Sequence, residues 1–152
     1  MLHERASHRH SAAPGTTRRR LTACIPKGAP VSTVLDASAV LAFLHGEIGA
    51  DVVEAELTDG ARCGAASWSE VAQKVLAAGR DWDLVRALLT SYDLTVEPVV
   101  TEDAEWAARR WRPGEGLSLA DRLCLALAER IDAEVWTADD AWGATGRVRQ
   151  IR

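Results

Sequence analysis

Four acidic residues stand where the sequence predicts that a strand or a loop meets a helix. They are Asp36 in VLDAS, Glu70 in SWSE, Asp121 in SLADR and Asp139 in TADDAW. In an open parallel sheet, ligands bind beyond the carboxyl ends of the strands. We therefore expect Asp36, Glu70 and Asp139 to share one edge of a sheet. Asp121 joins them if the amino end of its helix points to the same edge.

Carboxylates gathered at one edge repel one another unless a cation lies among them. Oxygen ligands, with no histidine nearby and the thiols elsewhere, favour Mg²⁺ or Mn²⁺ over zinc. Such an ion binds a phosphate oxygen and lowers the pKa of an attacking water, which is the chemistry of phosphodiester hydrolysis. Two hydroxyl residues in the same motifs, Ser38 and Thr137, could contact that water or the phosphate, although turns at strand ends explain them equally well.

The same four acids have a purely structural explanation. Two of them, Glu70 and Asp121, each follow a serine by three residues, as Ser67-x-x-Glu70 and Ser118-x-x-Asp121, and this spacing matches a capping box. Asp36 and Asp139 could equally be helix N-caps. Taken singly, each acid is more often a cap than a catalyst, so the prediction of a metal site depends on the set.

The predicted elements alternate between strands and helices. Strands are predicted for 31–36, 61–67, 94–99, 133–138 and 147–151, and helices for 37–47, 49–60, 68–79, 81–92, 101–111 and 117–130. Alternation of this kind indicates βαβ units. The fold class is therefore α/β, with a mainly parallel central sheet that helices cover on both faces.

Charge divides the 152 residues into two parts. Residues 1–30 hold six Lys or Arg and one acid, whereas residues 31–152 hold 12 basic and 21 acidic residues, a net charge of −9. The first 30 residues have no apolar periodicity, so we interpret them as a disordered basic arm, or as the product of a start codon assigned too early. Residues 31–152 form one domain.

The sequence also indicates where the protein resides. No apolar run approaches the length of a membrane span, and the arginines of the arm are not followed by the apolar region of an export signal. Three cysteines, Cys24, Cys63 and Cys124, have no paired spacing, and the last two fall in apolar segments. We expect a reduced, cytoplasmic protein without a membrane segment.

The four acidic motifs, in their order, resemble those of the PIN-domain ribonucleases, and in particular the VapC-like toxins of toxin–antitoxin pairs. The resemblance covers residues 31–152 and rests on VLDASAVLAFL, SWSEVAQ, LSLADRLCLALA and TADDAW. It implies a PIN-like three-layer fold and an endoribonuclease that depends on Mg²⁺ or Mn²⁺. It also implies an RNA substrate, a small antitoxin and a homodimer. Asp36, Glu70, Asp121 and Asp139 match the acidic motif as catalytic residues and metal ligands.

One position departs from the family pattern. A basic residue often follows the fourth acid, but here Asp140 follows Asp139. Asp140 either assists the metal or caps the short helix before Trp142, and we favour the cap.

Two alternative functions use the same residues. The chain could be a PIN-like RNA-processing nuclease without a toxin role, or an RNA- or protein-binding module without turnover. The basic cluster RRWR (109–112) could hold an RNA backbone, although we favour the interpretation that it complements the carboxyl end of its helix. The six tryptophans suggest base stacking or a partner groove, and the sequence does not choose between them.

Overall fold

A computed structural model describes residues 32–152 of the chain. Predictions for the basic arm, residues 1–30, including Cys24, lie outside the described residues. The strands are β1 (Thr33–Leu35), β2 (Arg62–Gly64), β3 (Thr95–Glu97), β4 (Glu134–Thr137) and β5 (Val148–Gln150). The α-helices are α1 (Ala37–His45), α2 (Ala50–Thr58), α3 (Ala65–Ala77), α4 (Trp82–Ser91), α5 (Thr101–Arg110) and α6 (Leu119–Ile131), and a short 3₁₀ helix spans Asp140–Trp142.

The five strands form one sheet in the order β3-β2-β1-β4-β5, and every pairing is parallel. The strand order reverses at β1, because the chain adds β2 and β3 on one side and β4 and β5 on the other. In β1 and β4, Leu35 pairs with Trp136 at their carboxyl ends. The boundary between β1 and β4 is therefore the switch point at which open α/β sheets bind ligands.

Helices pack on both faces of this sheet, which confirms the predicted fold class. Successive residues of β1 point to opposite faces. Leu35 belongs to a buried cluster that includes residues of α1, α2, α3 and α4, whereas Val34 belongs to a second cluster that includes residues of α6, β4 and β5. Cys63 and Cys124 are buried in these two clusters, as predicted.

Helix α3 begins earlier than predicted. Its N-cap is Gly64, with an extended backbone at φ −71° and ψ 147°, so the helix starts at Ala65 and β2 is only three residues long. Ser67 lies inside the first turn, 1% exposed. The predicted capping box of Ser67 and Glu70 is therefore wrong, because good helix formers at Ala65 and Ala66 extend the helix back to the glycine.

No helix within residues 32–152 is long and apolar enough to cross a membrane.

Candidate functional site

Asp36 is the centre of the candidate site. It follows the last residue of β1, its backbone N–H donates to the carbonyl of Trp136 at 3.0 Å, and its side chain caps α1. The residue is only 4% exposed. Its carboxylate therefore lies between the carboxyl ends of β1 and β4, at the switch point.

Two hydroxyl side chains fix the Asp36 carboxylate. Ser38 Oγ donates to Oδ2 at 2.7 Å and Thr137 Oγ1 donates to the same oxygen at 3.1 Å, while the Ser38 backbone N–H lies 3.3 Å from it. All three hydrogen bonds reach Oδ2. Oδ1 thus accepts from none of these three groups.

The same hydroxyls connect Asp36 to the loop that carries Asp139. Ser38 Oγ accepts from the backbone N–H of Ala138 at 2.9 Å, and Thr137 Oγ1 accepts from that of Asp139 at 3.0 Å. The structure therefore brings Ser38 and Thr137 to the site, between two of the four predicted acids. Their contact with water or phosphate stays a prediction.

Asp121 is part of a complete capping box. The Ser118 N–H donates to Asp121 Oδ2 at 2.6 Å, and Ser118 Oγ accepts from the Asp121 N–H at 3.1 Å. The charge of Asp121 also acts on Asp36. Asp121, in the first turn of α6, therefore lies close enough to Asp36 for the two charges to repel each other, as its predicted place in the site requires.

The environment of Asp36 disfavours a negative charge. Burial raises the pKa of this carboxyl most strongly, the Ser38 hydroxyl partly offsets that rise, and the Asp121 charge raises the pKa further. A bound cation would counter both the burial and the repulsion. The local electrostatics thus fit a positively charged ligand at Asp36.

Glu70 lies on the second turn of α3, farther from β2 than predicted. Its Oε1 is 3.1 Å from Nζ of Lys74, and the side chain is 34% exposed. Glu70 lines a cleft of about 520 Å³ together with Ser118 and Leu119 at the amino end of α6. Glu70 therefore faces the Asp121 helix end, but its carboxylate is held by an ammonium group.

Asp139 caps the 3₁₀ helix that follows β4. Its Oδ1 accepts from the Ala141 N–H at 2.9 Å. Asp140 is the first residue of that helix and is exposed. The interpretation of Asp140 as the cap is wrong, because the extended backbone of Asp139 (φ −93°, ψ 110°) places Asp139 at the N-cap position.

The donor chemistry of the site fits a hard divalent ion. In their present rotamers no three His, Cys, Asp or Glu side chains within residues 32–152 are grouped so that they could hold a metal. However, the protein contacts of the four acids each occupy one carboxylate oxygen: Asp36 Oδ2, Glu70 Oε1, Asp121 Oδ2 and Asp139 Oδ1. Capping and metal binding are therefore compatible, since these contacts within residues 32–152 leave the second oxygen of each acid for a metal.

The cysteines are unsuited to bind a metal at this site. Burial, and then the Asp36 charge, raise the pKa of Cys63 to about 12. Burial raises the pKa of Cys124 as well. Both thiols stay protonated near neutral pH, and a protonated thiol is a poor metal ligand. The oxygen-only donor set that the sequence predicted is retained.

Three residues near the site were not singled out from the sequence. Lys74 pairs with Glu70, and its i,i+4 spacing could have revealed it. Gln150 Nε2 donates to the carbonyl of Asp139 at 3.0 Å, and Arg152 donates twice to that of Ala138, at 2.7 and 3.1 Å. No local sequence pattern indicates Gln150 or Arg152, because they reach the loop only through the pairing of β4 with β5.

The basic residues at the end of α5 are paired with nearby carboxylates and backbone carbonyls. Arg109 pairs with Glu105, Arg110 pairs with Glu115, and Arg112 donates to the carbonyls of Arg109 and Trp111. These contacts support the interpretation that the cluster complements the carboxyl end of its helix.

Fold and site together define an α/β protein with acidic residues at the switch point of an open parallel sheet. We call Asp36, with the nearby Asp121 and Asp139, the acidic centre. The sequence matches the family model of the PIN domain over residues 33–148. The chain therefore belongs to the PIN domain family, which confirms the resemblance noted from the motifs.

Several solved structures have the same fold. A chain of a toxin-antitoxin complex from Klebsiella pneumoniae is 19% identical, with a TM-score of 0.67 over 80% of this chain and 98% of that one. A DNA-bound VapBC from Salmonella typhimurium is 17% identical, with a TM-score of 0.60 over 80% and 99%. PAE2754 from Pyrobaculum aerophilum is 18% identical, with a TM-score of 0.56 over 80% and 90%. A search of curated proteins found no match.

Proposed function

We propose that this PIN domain is a metal-dependent endoribonuclease that hydrolyses RNA phosphodiester bonds, and that it is the toxin of a toxin–antitoxin pair. The observation that carries the nuclease proposal is the buried Asp36 carboxylate, which lies at the switch point under the influence of the Asp121 charge. A carboxylate in that position is costly unless a cation offsets it. Similarity to chains from toxin–antitoxin complexes supports the toxin role.

Asp36, Glu70, Asp121 and Asp139 would hold Mg²⁺ or Mn²⁺. When bound, the ion supplies Lewis acidity toward the phosphate and lowers the pKa of water. The chain's own residues prepare this site. Ser38 and Thr137 hold Asp36 Oδ2 and so orient the opposite oxygen. Lys74 lines the same cleft as Glu70, where its ammonium group can neutralise phosphate charge.

Purified full-length chain tests the nuclease proposal. We expect cleavage of a mixed-sequence single-stranded RNA with Mg²⁺ or Mn²⁺ and none with EDTA. Asp36→Asn should reduce the rate by at least about a hundredfold, because the buried ligand loses its charge. Asp93→Asn is the matched control, since Asp93 is exposed and has the same charge change. RNA binding without cleavage under either metal would instead support the non-catalytic module.

An apolar groove is the best candidate for the antitoxin contact. Leu84, Leu76 and Leu88 are 69%, 59% and 44% exposed on α3 and α4. A depression of about 380 Å³ lies among α1, α3 and α4 and includes Leu84 and Leu88. An amphipathic helix of an antitoxin would cover such a surface.

Growth measurements separate the toxin from an RNA-processing nuclease. We expect induction of the wild-type chain to slow growth and Asp36→Asn to be tolerated. Where a small reading frame lies next to the gene, co-expression of its product should restore growth of cells that express wild-type chain, but not of cells that express Leu84→Glu. Ile48→Glu, at an apolar residue 77% exposed outside the groove, should still be rescued. Cleavage without any growth effect would support the RNA-processing role.

The predicted homodimer has a separate test. We expect sedimentation of the purified chain to give twice the 16.4 kDa chain mass. A single-chain mass across the micromolar range would contradict the dimer without affecting the nuclease proposal.

A further inference from the structure

A second cavity lies beside the candidate site, on the α5 and α6 side of the sheet. Its volume is about 420 Å³, and its walls include Trp106 of α5, Leu125 of α6, and Ala141 and Trp142 of the 3₁₀ helix. Small-molecule sites begin at about 300 Å³. The cavity is therefore large enough for a planar ring system with its attached sugar.

The cavity adjoins the acidic centre through a direct contact. Ala141 lines the cavity, and its backbone N–H donates to the Asp139 carboxylate at 2.9 Å. The cavity wall and Asp139 are therefore adjacent, as a site for a base next to the cleaved bond requires.

The walls offer aromatic and aliphatic surface. Trp106 is half-buried on α5, and Trp142 is 8% exposed. Leu117, Leu125 and Val148 supply further apolar lining. Bases stack on indole rings regardless of sequence, because every base has a π face. This lining suits a flat, uncharged group.

The arginines in the wall are already neutralised. Arg110 forms a two-fold pair with Glu115, at 2.6 and 2.5 Å, and Arg147 pairs with Glu129 at 2.9 Å. A phosphate in the cavity would have to displace these carboxylates. A base would not, so the charge arrangement favours a base over a phosphate.

We propose that this cavity binds one unpaired base of a single-stranded RNA, next to the bond that the acidic centre cleaves. The inference rests on the proposed nuclease function for its substrate class. The base site is separate from the four acids. Trp106 is the stacking residue, and Trp142 forms the wall that joins the site to the acidic centre.

The test uses full-length protein in EDTA, so that binding is measured without cleavage. The probes are a mixed-sequence single-stranded RNA decamer and a decamer of the same sugar-phosphate backbone without bases. Trp106→Ala should weaken binding of the RNA decamer on the order of tenfold, the expected loss of one stacked base, and should leave binding of the abasic decamer unchanged. Trp106→Phe should restore most of the affinity.

A matched control and a direct readout keep the test independent of folding. Trp111 is on the same stretch of chain, is 56% exposed and does not line the cavity. Trp111→Ala should change the affinity less than twofold. In NMR spectra of the wild type, the indole N–H resonances of Trp106 and Trp142 should shift with RNA and not with the abasic decamer.

Several results would overturn the inference. These are cavity resonances that stay unmoved while RNA binds, or an equal effect of Trp106→Ala on both decamers. If the wild type also cleaves RNA with metal, the nuclease function stands and only the base site fails. Absence of both binding and cleavage would reject the two together.

Discussion

At Asp121 the roles of helix cap and metal ligand are not exclusive. A carboxylate has two oxygens, and the contact with the Ser118 N–H uses Oδ2. The cap also orients the side chain, since it fixes the carboxylate at the amino end of α6, where the helix dipole favours its charge. The structural role is therefore compatible with the proposed chemical one.

Two substitutions separate these roles. Asp121→Asn keeps an oxygen for the cap but loses the charge that repels Asp36. We expect the metal-free variant to melt at or above the wild-type temperature and to gain little from metal. Wild type, in contrast, should gain about 2.7 kcal/mol from an ion at 100 times its Kd. Thermal melts with and without Mn²⁺ measure both effects, and RNA cleavage should fall by orders of magnitude.

Ser118→Ala is the complementary variant, because it removes the cap hydroxyl and leaves the carboxylate. It should cost roughly 1 kcal/mol of stability and retain the metal-induced shift. If Asp121→Asn instead melted lower and kept both its metal shift and its nuclease activity, Asp121 would be only a cap.

The raised pKa of Asp36 gives a pH signature of the metal-free site. The folded pKa lies above the unfolded value, so the ionised group destabilises the fold at neutral pH. This penalty disappears as the pH falls through the folded pKa toward the unfolded value of 3.8. Asp36→Asn should therefore unfold at higher urea than wild type at pH 7 in EDTA, and the difference should shrink near pH 4. A difference that grew on acidification would show that the native site favours the charge.

At the scale of elements, the alternation of strands and helices was enough to predict the sheet, because parallel strands need helical crossovers. The bounds of α3 were not predictable in the same way. A strand and a helix both fit ARCGAAS, and the three-residue pairing of β2 with β3 decides between them. Because of this error, Glu70 was predicted near the start of a helix, whereas in the structure it lies on the second turn of α3.

Gly49, between α1 and α2, packs closely against the backbone of Ile151. Its φ is +89°, and a Cβ there would lie 2.3 Å from the carbonyl oxygen of Ile151. Gly49→Ala should therefore cost more than about 3 kcal/mol, the sum of backbone strain and a clash with backbone that cannot move. Urea unfolding measures this cost.

Gly46 provides the comparison for Gly49. Its φ is +64°, but a Cβ there would meet no atom within 4 Å among the described residues, its neighbours along the chain apart. Gly46→Ala should cost only about 1–2 kcal/mol, for the left-handed backbone alone. Equal costs at the two positions would mean that the end of the chain does not pack against the α1–α2 junction.

At the scale of the whole molecule, the sequence predicted where acids stand relative to the strand ends, but not the partners that these acids have in the structure. Asp36 and Asp139 stand at the ends of predicted strands. In a parallel sheet the topology brings the carboxyl ends of the strands to one edge. The pairing of Glu70 with Lys74, and the support that Gln150 gives to the Asp139 loop, depend on rotamers and on contacts between distant segments. Periodicity carries no information on either.

The charge division of the chain leads to a prediction about its first part. The PIN domain match covers 33–148, and the buried clusters are built from residues between Val34 and Ile151. Because the family match begins at residue 33 and the first thirty residues have no apolar periodicity, deletion of residues 1–29 should leave the melting temperature and the metal-dependent cleavage essentially unchanged. Those residues carry six basic groups and one acid, against a net charge of −9 on 31–152. The full chain should therefore bind RNA more tightly than the truncated chain at 50 mM salt, and the advantage should vanish near 300 mM, as counterion release requires. A loss of several degrees on truncation would show that the arm packs on the domain, whereas a salt-independent gain in affinity would show that it contacts RNA other than through charge.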